Sequence, residues 1–526
     1  MKISRSPQSL VLIVSAALAG ISAPLAAVPR VSTAAGQLEG IAASGTEAFL
    51  GIPYAAPPVG AGRWRAPQPA LPWKGVRAAA QRGPACQQAI AGAWGPYSAE
   101  FIAAPPVSED CLTLNLWRPA RVGKKPLPVL VFIHGGAYQG GSGNMPLYDG
   151  ARLAARGAVV VTINYRLGVF GFLAHPALTA EDRAAAGNYG LLDQIAALRW
   201  IKAHAARFGG DPAQITVAGE SAGAASVNNL MVAPAARGLF QRAISLSGAS
   251  MAIELPDLAQ GEAAGSDFAA QLGGADLATL RTLPAERLIA ASAIVPAEGG
   301  RPRLVFVPHR DGRLIPHDPT DATAAVASPV PLLSGFNAAE MIDPAVRSPA
   351  AFEAAVRARY GAFADRLLAL YPHATEAEAI RANGELARDR YMAGLLIWSR
   401  ARTAAHGQRV FAYLYDHAYP PVRGGQPWGA FHSSGLPYLF GTIGLGDRVF
   451  TAADRVIVRQ WQDRVLAFAR TGDPRLPQSP WPAVTSRSAT VMGLGDSVGP
   501  RPAVSTPERL AVLQAYAAAG GTLGLM

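Results

Sequence analysis

Ile215-Thr216-Val217-Ala218-Gly219-Glu220-Ser221-Ala222-Gly223-Ala224-Ala225-Ser226-Val227 decides how this chain folds. A β-branched run passes through a glycine-flanked serine directly into a helix-competent, alanine-rich run. Gly219 and Gly223 permit a tight strand-to-helix turn, and Ser221 at its apex holds its hydroxyl up for attack. The bare G-x-S-x-G pattern is weak in a chain with 55 glycines, so context must carry the reading. The chain supplies its own control, because Gly495-Asp496-Ser497-Val498-Gly499 fits the same pattern. There Pro500 and Pro502 follow at once, so no regular helix starts, and every plausible histidine partner precedes it. Ser221 is the expected nucleophile and Ser497 is not.

Working outward, short aliphatic runs alternate with longer helical stretches, the pattern of an α/β sheet. Strands are expected at 128–133, 158–164, 215–218, 243–247, 330–334 and 410–415, and helices at 191–208 and 222–231. Gly209 and Gly210 end the first of these helices. Directly after the strand ending at Ile133 stands His134-Gly135-Gly136-Ala137-Tyr138. A glycine loop in this place lets backbone N–H groups approach a carbonyl closely, so Gly135, Gly136 and Ala222 are assigned to an oxyanion hole.

Nine histidines compete to be the base. Chain order, with the base after the nucleophile and the acid, leaves His373, His406, His417 and His432. His432 is preferred because it sits in the small-residue loop Gly429-Ala430-Phe431-His432-Ser433-Ser434, whereas His373 and His406 read as surface or capping residues. An ordinary imidazole there would titrate at about 6 to 7. Glu340 and Asp343 both follow the strand at 330–334 and its Gly335-Phe336-Asn337 turn, and spacing leaves either able to orient the imidazole.

The first residues read as a secretory leader: Lys2 and Arg5, an apolar run from Leu10 to Gly20, then small residues. Residues 1–27 are the expected leader and 28–526 the mature chain, periplasmic or extracellular. The apolar stretch is shorter than the roughly 20 residues a membrane span needs. Two cysteines in an exported chain, Cys86 and Cys111, are consistent with one structural disulfide. The net charge of +11 comes mostly from scattered arginines with no basic run, so nucleic acid is not expected as a partner. Histidine and cysteine show no ligand spacing, so no metal or other cofactor is implied. No internal repeat or linker marks a second domain.

These residues resemble the type B carboxylesterases, the cholinesterase and para-nitrobenzyl esterase group of the α/β-hydrolases. The likeness spans nearly the whole mature chain. It includes Phe49-Leu50-Gly51-Ile52-Pro53-Tyr54-Ala55, Ser108-Glu109-Asp110-Cys111-Leu112-Thr113-Leu114-Asn115, Asn188-Tyr189-Gly190-Leu191-Leu192-Asp193-Gln194 and Thr471-Gly472-Asp473-Pro474. The resemblance implies an α/β-hydrolase fold: a mostly parallel central sheet flanked by helices, with long insertions forming a gorge. It places the acid on Glu340 and the base on His432, and it pairs Cys86 with Cys111 across a loop whose Trp94, Tyr97 and Phe101 line the entrance. Two positions depart from the family: Met341 stands where glycine usually follows the acid, and Gly435 where an acidic residue often follows the histidine. The implied reaction is hydrolysis of a small-molecule carboxylic ester through an acyl-enzyme. An amidase or acyltransferase would use the same triad, and a non-catalytic relative of the fold often lacks the serine or the histidine.

Overall fold

Apolar residues alternate in the strands so that successive side chains enter two different cores, and this alternation builds the molecule. A computed structural model of the chain describes Met1 and residues 28–43, 45–248, 255–292, 305–340 and 342–524. The expected leader after Met1 and the Met341 substitution lie outside the described residues.

Among the described residues the main sheet has eleven strands. They are β1 (Ile41–Ala43), β2 (Thr46–Pro53), β3 (Thr113–Pro119), β4 (Leu127–Ile133), β5 (Val159–Ile163) and β6 (Gly210–Glu220). Next come β7 (Arg242–Leu246), β8 (Leu332–Asn337), β9 (Val410–Tyr415), β10 (Thr490–Leu494) and β11 (Gly499–Pro502). Their spatial order is β11-β10-β9-β8-β7-β6-β4-β5-β3-β2-β1. From β5 to β10 all neighbours are parallel, and antiparallel strands close both edges.

Val129, Val131, Ile133, Val161 and Val217 enter one core, which α1 (Tyr189–His204), α2 (Ala222–Val232) and α3 (Glu376–His406) cover. Leu130, Phe132, Val160, Ala218 and Leu333 enter the other, against α4 (Leu436–Phe440) and α5 (Ala452–Thr471). Helices on both faces explain why the central strands read as nearly unbroken apolar runs. This is the α/β-hydrolase arrangement, with long insertions between β7 and β8 and between β8 and β9.

Several element bounds differ from expectation, among them the strand expected at 215–218, which runs from Gly210 to Glu220. The helix expected to reach Phe208 stops at His204; a 3-10 turn covers Ala205–Phe208, and Gly209 closes it at φ 79°. The strand expected at 330–334 is Leu332–Asn337, because it stays paired with β9 up to Asn337 opposite Tyr415. Asn337 is therefore the last residue of a strand and not part of a turn, which matters for the site. The second G-x-S-x-G segment is the connection of the β10–β11 hairpin, with Ser497 exposed.

Cys86 and Cys111 form a disulfide, buried, with Cα atoms 5.0 Å apart. Within the loop it closes, Tyr97 and Phe101 pack edge-on against Phe431, with ring centroids 5.7 and 5.6 Å away. Trp94 lies on Tyr97 and is 61% exposed. The bridge thus fixes a loop that leans on the residue next to His432. Reducing it should lower unfolding free energy by about 3 kcal/mol for a loop of this length. Denaturant melts with and without reductant measure this, and identical melts after verified reduction would contradict it.

Candidate active site

Ser221 occupies a strained position. Its φ is 57° and ψ −123°, a conformation that a residue with a Cβ adopts at a cost of about 1–3 kcal/mol. Its N–H donates to Leu246 O at 3.0 Å, and Ala225 N–H donates to its carbonyl at 2.9 Å. The glycines do something other than take the positive φ. A Cβ on Gly219 would lie 2.2 Å from Gly223 O, and one on Gly223 would lie 2.1 Å from Ile133 O. Only glycine lets the turn close on itself and press against the end of β4.

That contact brings the glycine loop to the serine. A Cβ on Gly135 would lie 2.9 Å from Ser221 Cβ. Gly136 has φ 112°, and Ala137 and Tyr138 also have positive φ. Ala222 is the first residue of α2, so its N–H has no acceptor within the helix. Gly135 thus packs against Ser221 from the loop, with Gly136 next to it in the chain, and Ala222 follows the serine directly.

Glu340 is fully buried. Its Oε2 meets His432 Nδ1 in a short hydrogen bond. Its Oε1 accepts from Ser247 Oγ at 2.5 Å and from Asn337 N–H at 2.8 Å. Asp343 is exposed and accepts from the N–H of Ala345 instead. The structure therefore brings Glu340 and not Asp343 to the imidazole. His432 is held from behind as well: Asn337 Nδ2 donates to Phe431 O at 2.6 Å and to Ser434 Oγ at 3.3 Å.

The imidazole side chain is 12% exposed. Its Nε2 faces Glu220 Oε1 at 3.2 Å, and Ser433 Oγ donates to that same oxygen at 2.7 Å. Burial lowers the imidazole's proton affinity, but Glu340 and Glu220 on its two nitrogens outweigh burial and push His432 up to about 9. The ordinary imidazole range read from the sequence is corrected by these two carboxylates. Burial raises the Glu220 carboxyl, with His432 and Ser433 opposing.

The other histidines lie elsewhere. His373 packs on Phe352, and its Nδ1 lies 2.6 Å from Tyr371 O. His406 ends α3. His417 lies between Asp496 at 2.5 Å and Asp454 at 3.0 Å, bracing the β10–β11 hairpin. Sequence reasoning missed Glu220, Ser247 and Asn337 as site residues. Glu220 stands inside the quoted motif, and its lone acidic side chain between strand and serine was the available signal. For Ser247 no local signal exists. Among the described residues, no group of three or more His, Cys, Asp or Glu side chains forms a metal site.

Known proteins resemble this chain over nearly its whole length. The model of the Carboxylesterase family matches residues 27–506. Para-nitrobenzyl esterase of Bacillus subtilis (strain 168) is 38% identical over 472 residues, 86% of this chain and 92% of that protein. Fumonisin B1 esterase of Sphingopyxis macrogoltabida is 36% identical over 486 residues, 89% of this chain and 86% of its own length. Phenmedipham hydrolase of Pseudarthrobacter oxydans is 35% identical over 494 residues, covering 89% and 95%. A solved PNB esterase structure superposes with TM-score 0.76 at 34% identity, over 92% of this chain and 99% of that one. With fold and sequence in agreement over nearly the whole length, the chain belongs to the carboxylesterase family and is a carboxylic ester hydrolase.

Proposed function

We propose that the chain hydrolyses small-molecule carboxylic esters with Ser221 as nucleophile, His432 as general base and Glu340 as the orienting acid. The observation that carries this reading is the buried Glu340 carboxylate on His432 Nδ1, next to the strained Ser221 turn. His432 Nε2 takes the Ser221 proton as the serine oxygen attacks the ester carbonyl. The N–H groups of Gly135, Gly136 and Ala222 stabilise the charge that develops on the carbonyl oxygen. Collapse breaks the ester C–O bond, and the imidazolium returns its proton to the leaving alkoxide. Water then attacks the acyl-enzyme carbonyl as His432 accepts its proton, the bond from the carbonyl carbon to Ser221 Oγ breaks, and the imidazolium returns that proton to Ser221 Oγ as the acid leaves.

Nε2 lies 3.2 Å from Glu220 Oε1, and hydrogen bonds between a base and its nucleophile commonly tighten once substrate binds. Glu340 holds Nδ1–H, fixes the useful tautomer and stabilises the imidazolium. The Cys86–Cys111 bridge supports a further proposal, that the enzyme works in an oxidising compartment after export as one α/β-hydrolase domain spanning 28–526.

Ser221→Ala should lower ester hydrolysis by about 10⁴-fold or more while leaving the melting temperature within a few degrees. Full activity in that variant would end the assignment. Glu340→Gln keeps the volume and removes the charge, and kcat should fall by on the order of 10² to 10⁴. Asp343→Asn should change kcat by less than about twofold, since its carboxylate is exposed and away from the imidazole. A larger loss for Asp343→Asn would move the acid within its loop.

A base acts unprotonated, so a raised proton affinity shifts activity to higher pH. With an activated ester and chemistry rate-limiting, kcat/KM should keep rising with pH through about 9. Glu220→Gln removes one of the two carboxylates and should move the inflection down. A wild-type profile already level by pH 7 would contradict this electrostatic account.

A further inference from the structure

Beside Glu220 lies a cavity of about 10 Å³, room for the centre of one water molecule. Glu220, Ser247, Asn337, Tyr413, Ser433 and Trp461 supply its polar wall. Trp461 reaches in from α5 and is 4% exposed, with its ring edge-on to Tyr413 at 5.0 Å. Its indole N–H is buried and has no protein acceptor. Leaving such a donor unmet costs about 1–3 kcal/mol.

An indole N–H can only donate, so whatever meets it must present a lone pair. A water in this space would still have two hydrogens to place. Ser247 and Ser433 already donate to Glu340 and Glu220, and the Asn337 amide already donates to the His432 loop. Of the groups in the wall, the Glu220 carboxylate is the strongest acceptor, and a hydrogen bond to it is charge-assisted.

We propose that Trp461 is a positioning residue of this hydrolase: its indole N–H holds one water in the cavity, and that water donates a hydrogen bond to the Glu220 carboxylate. The inference rests on the reading of His432 as base and deepens it. A donor on Glu220 favours its ionised form, and an ionised Glu220 favours the imidazolium 3.2 Å away. The other titratable groups facing Glu220 are Glu340, Tyr97, Tyr148 and Tyr413. Burial raises all three phenols far above working pH, so Glu340 and Glu220 are the charges that act on the imidazole. In this arrangement the water ties Trp461 to His432 through the Glu220 carboxylate, and the Glu220→Gln background separates that route from one through Ser247 or Asn337 and Glu340.

Trp461→Phe removes the N–H and keeps an aromatic ring. Its effect is read by NMR titration of the His432 imidazole in the Ser221→Ala protein, where no turnover is needed. The inflection should fall by about half a pH unit, and the same substitution should produce no shift when Glu220→Gln is present. An unchanged inflection, or an equal shift in the Glu220→Gln background, overturns the proposal. Should Trp461→Phe not fold, a high-resolution crystal structure of the wild type decides: a water within hydrogen-bond distance of both Trp461 Nε1 and Glu220 supports the proposal, and a cavity without one overturns it. Residual hydrolysis by Ser221→Ala would bear on the nucleophile assignment only, since the titration does not depend on it.

Discussion

A fully buried carboxylate must be hydrogen-bonded and paired, or it gives up its charge, and in this chain that constraint falls on Glu340. Its partners come from three strand ends. Ser247 follows β7, Asn337 ends β8, and His432 lies in the long connection after β9. Satisfying Glu340 therefore requires these parallel strands to be in one register. Asn337 joins the same unit from both sides: its N–H and side chain hold the acid and the histidine loop, and Tyr391 of α3 donates to its carbonyl at 2.7 Å. Ser247 is aimed by a positive φ of 55°, strain that the surrounding sheet overcomes.

The serine is tied to this unit through β7. Leu246 O accepts the Ser221 N–H, and the next residue is the one that donates to Glu340. One strand end thus sets the position of Ser221 relative to Glu340. The glycines at 219 and 223 then bring the end of β4 into contact with the turn, so the 135–136 loop cannot drift from Ser221. Electrostatics follows from the same crowding. Two carboxylates flank one imidazole because Glu220 ends β6 one residue before the serine, and the nitrogen not taken by Glu340 faces it.

Much of this was legible in the residues because it is local. A strand, a glycine-bounded serine and a helix are contiguous, and the loop 134–138 follows its strand directly. The histidine was found from chain order and small neighbours. Glu340 and Asp343 were not separable by spacing, since they share a loop; burial separates them, and burial is set by α3 and the strands beneath. Asn337 was read as part of a turn because strand ends depend on the partner strand, here Tyr415 of β9, rather than on local propensity. Ser247 and Trp461 carry no motif. Their importance comes from contacts to residues distant in sequence, which one chain read alone does not reveal. Against burial, the imidazole is pushed above its ordinary range first by Glu340 and then by Glu220, and the second of these contacts, across 212 positions of sequence, carries no local signal.

If the strained turn activates Ser221, that hydroxyl should react where the other serines of the described residues do not. Treating the protein with a fluorophosphonate, which reacts with activated serine hydroxyls, and locating the adduct by peptide mass spectrometry tests it directly. The account predicts one adduct per chain, on Ser221. An adduct on Ser497, or none on a protein that hydrolyses esters, would contradict it.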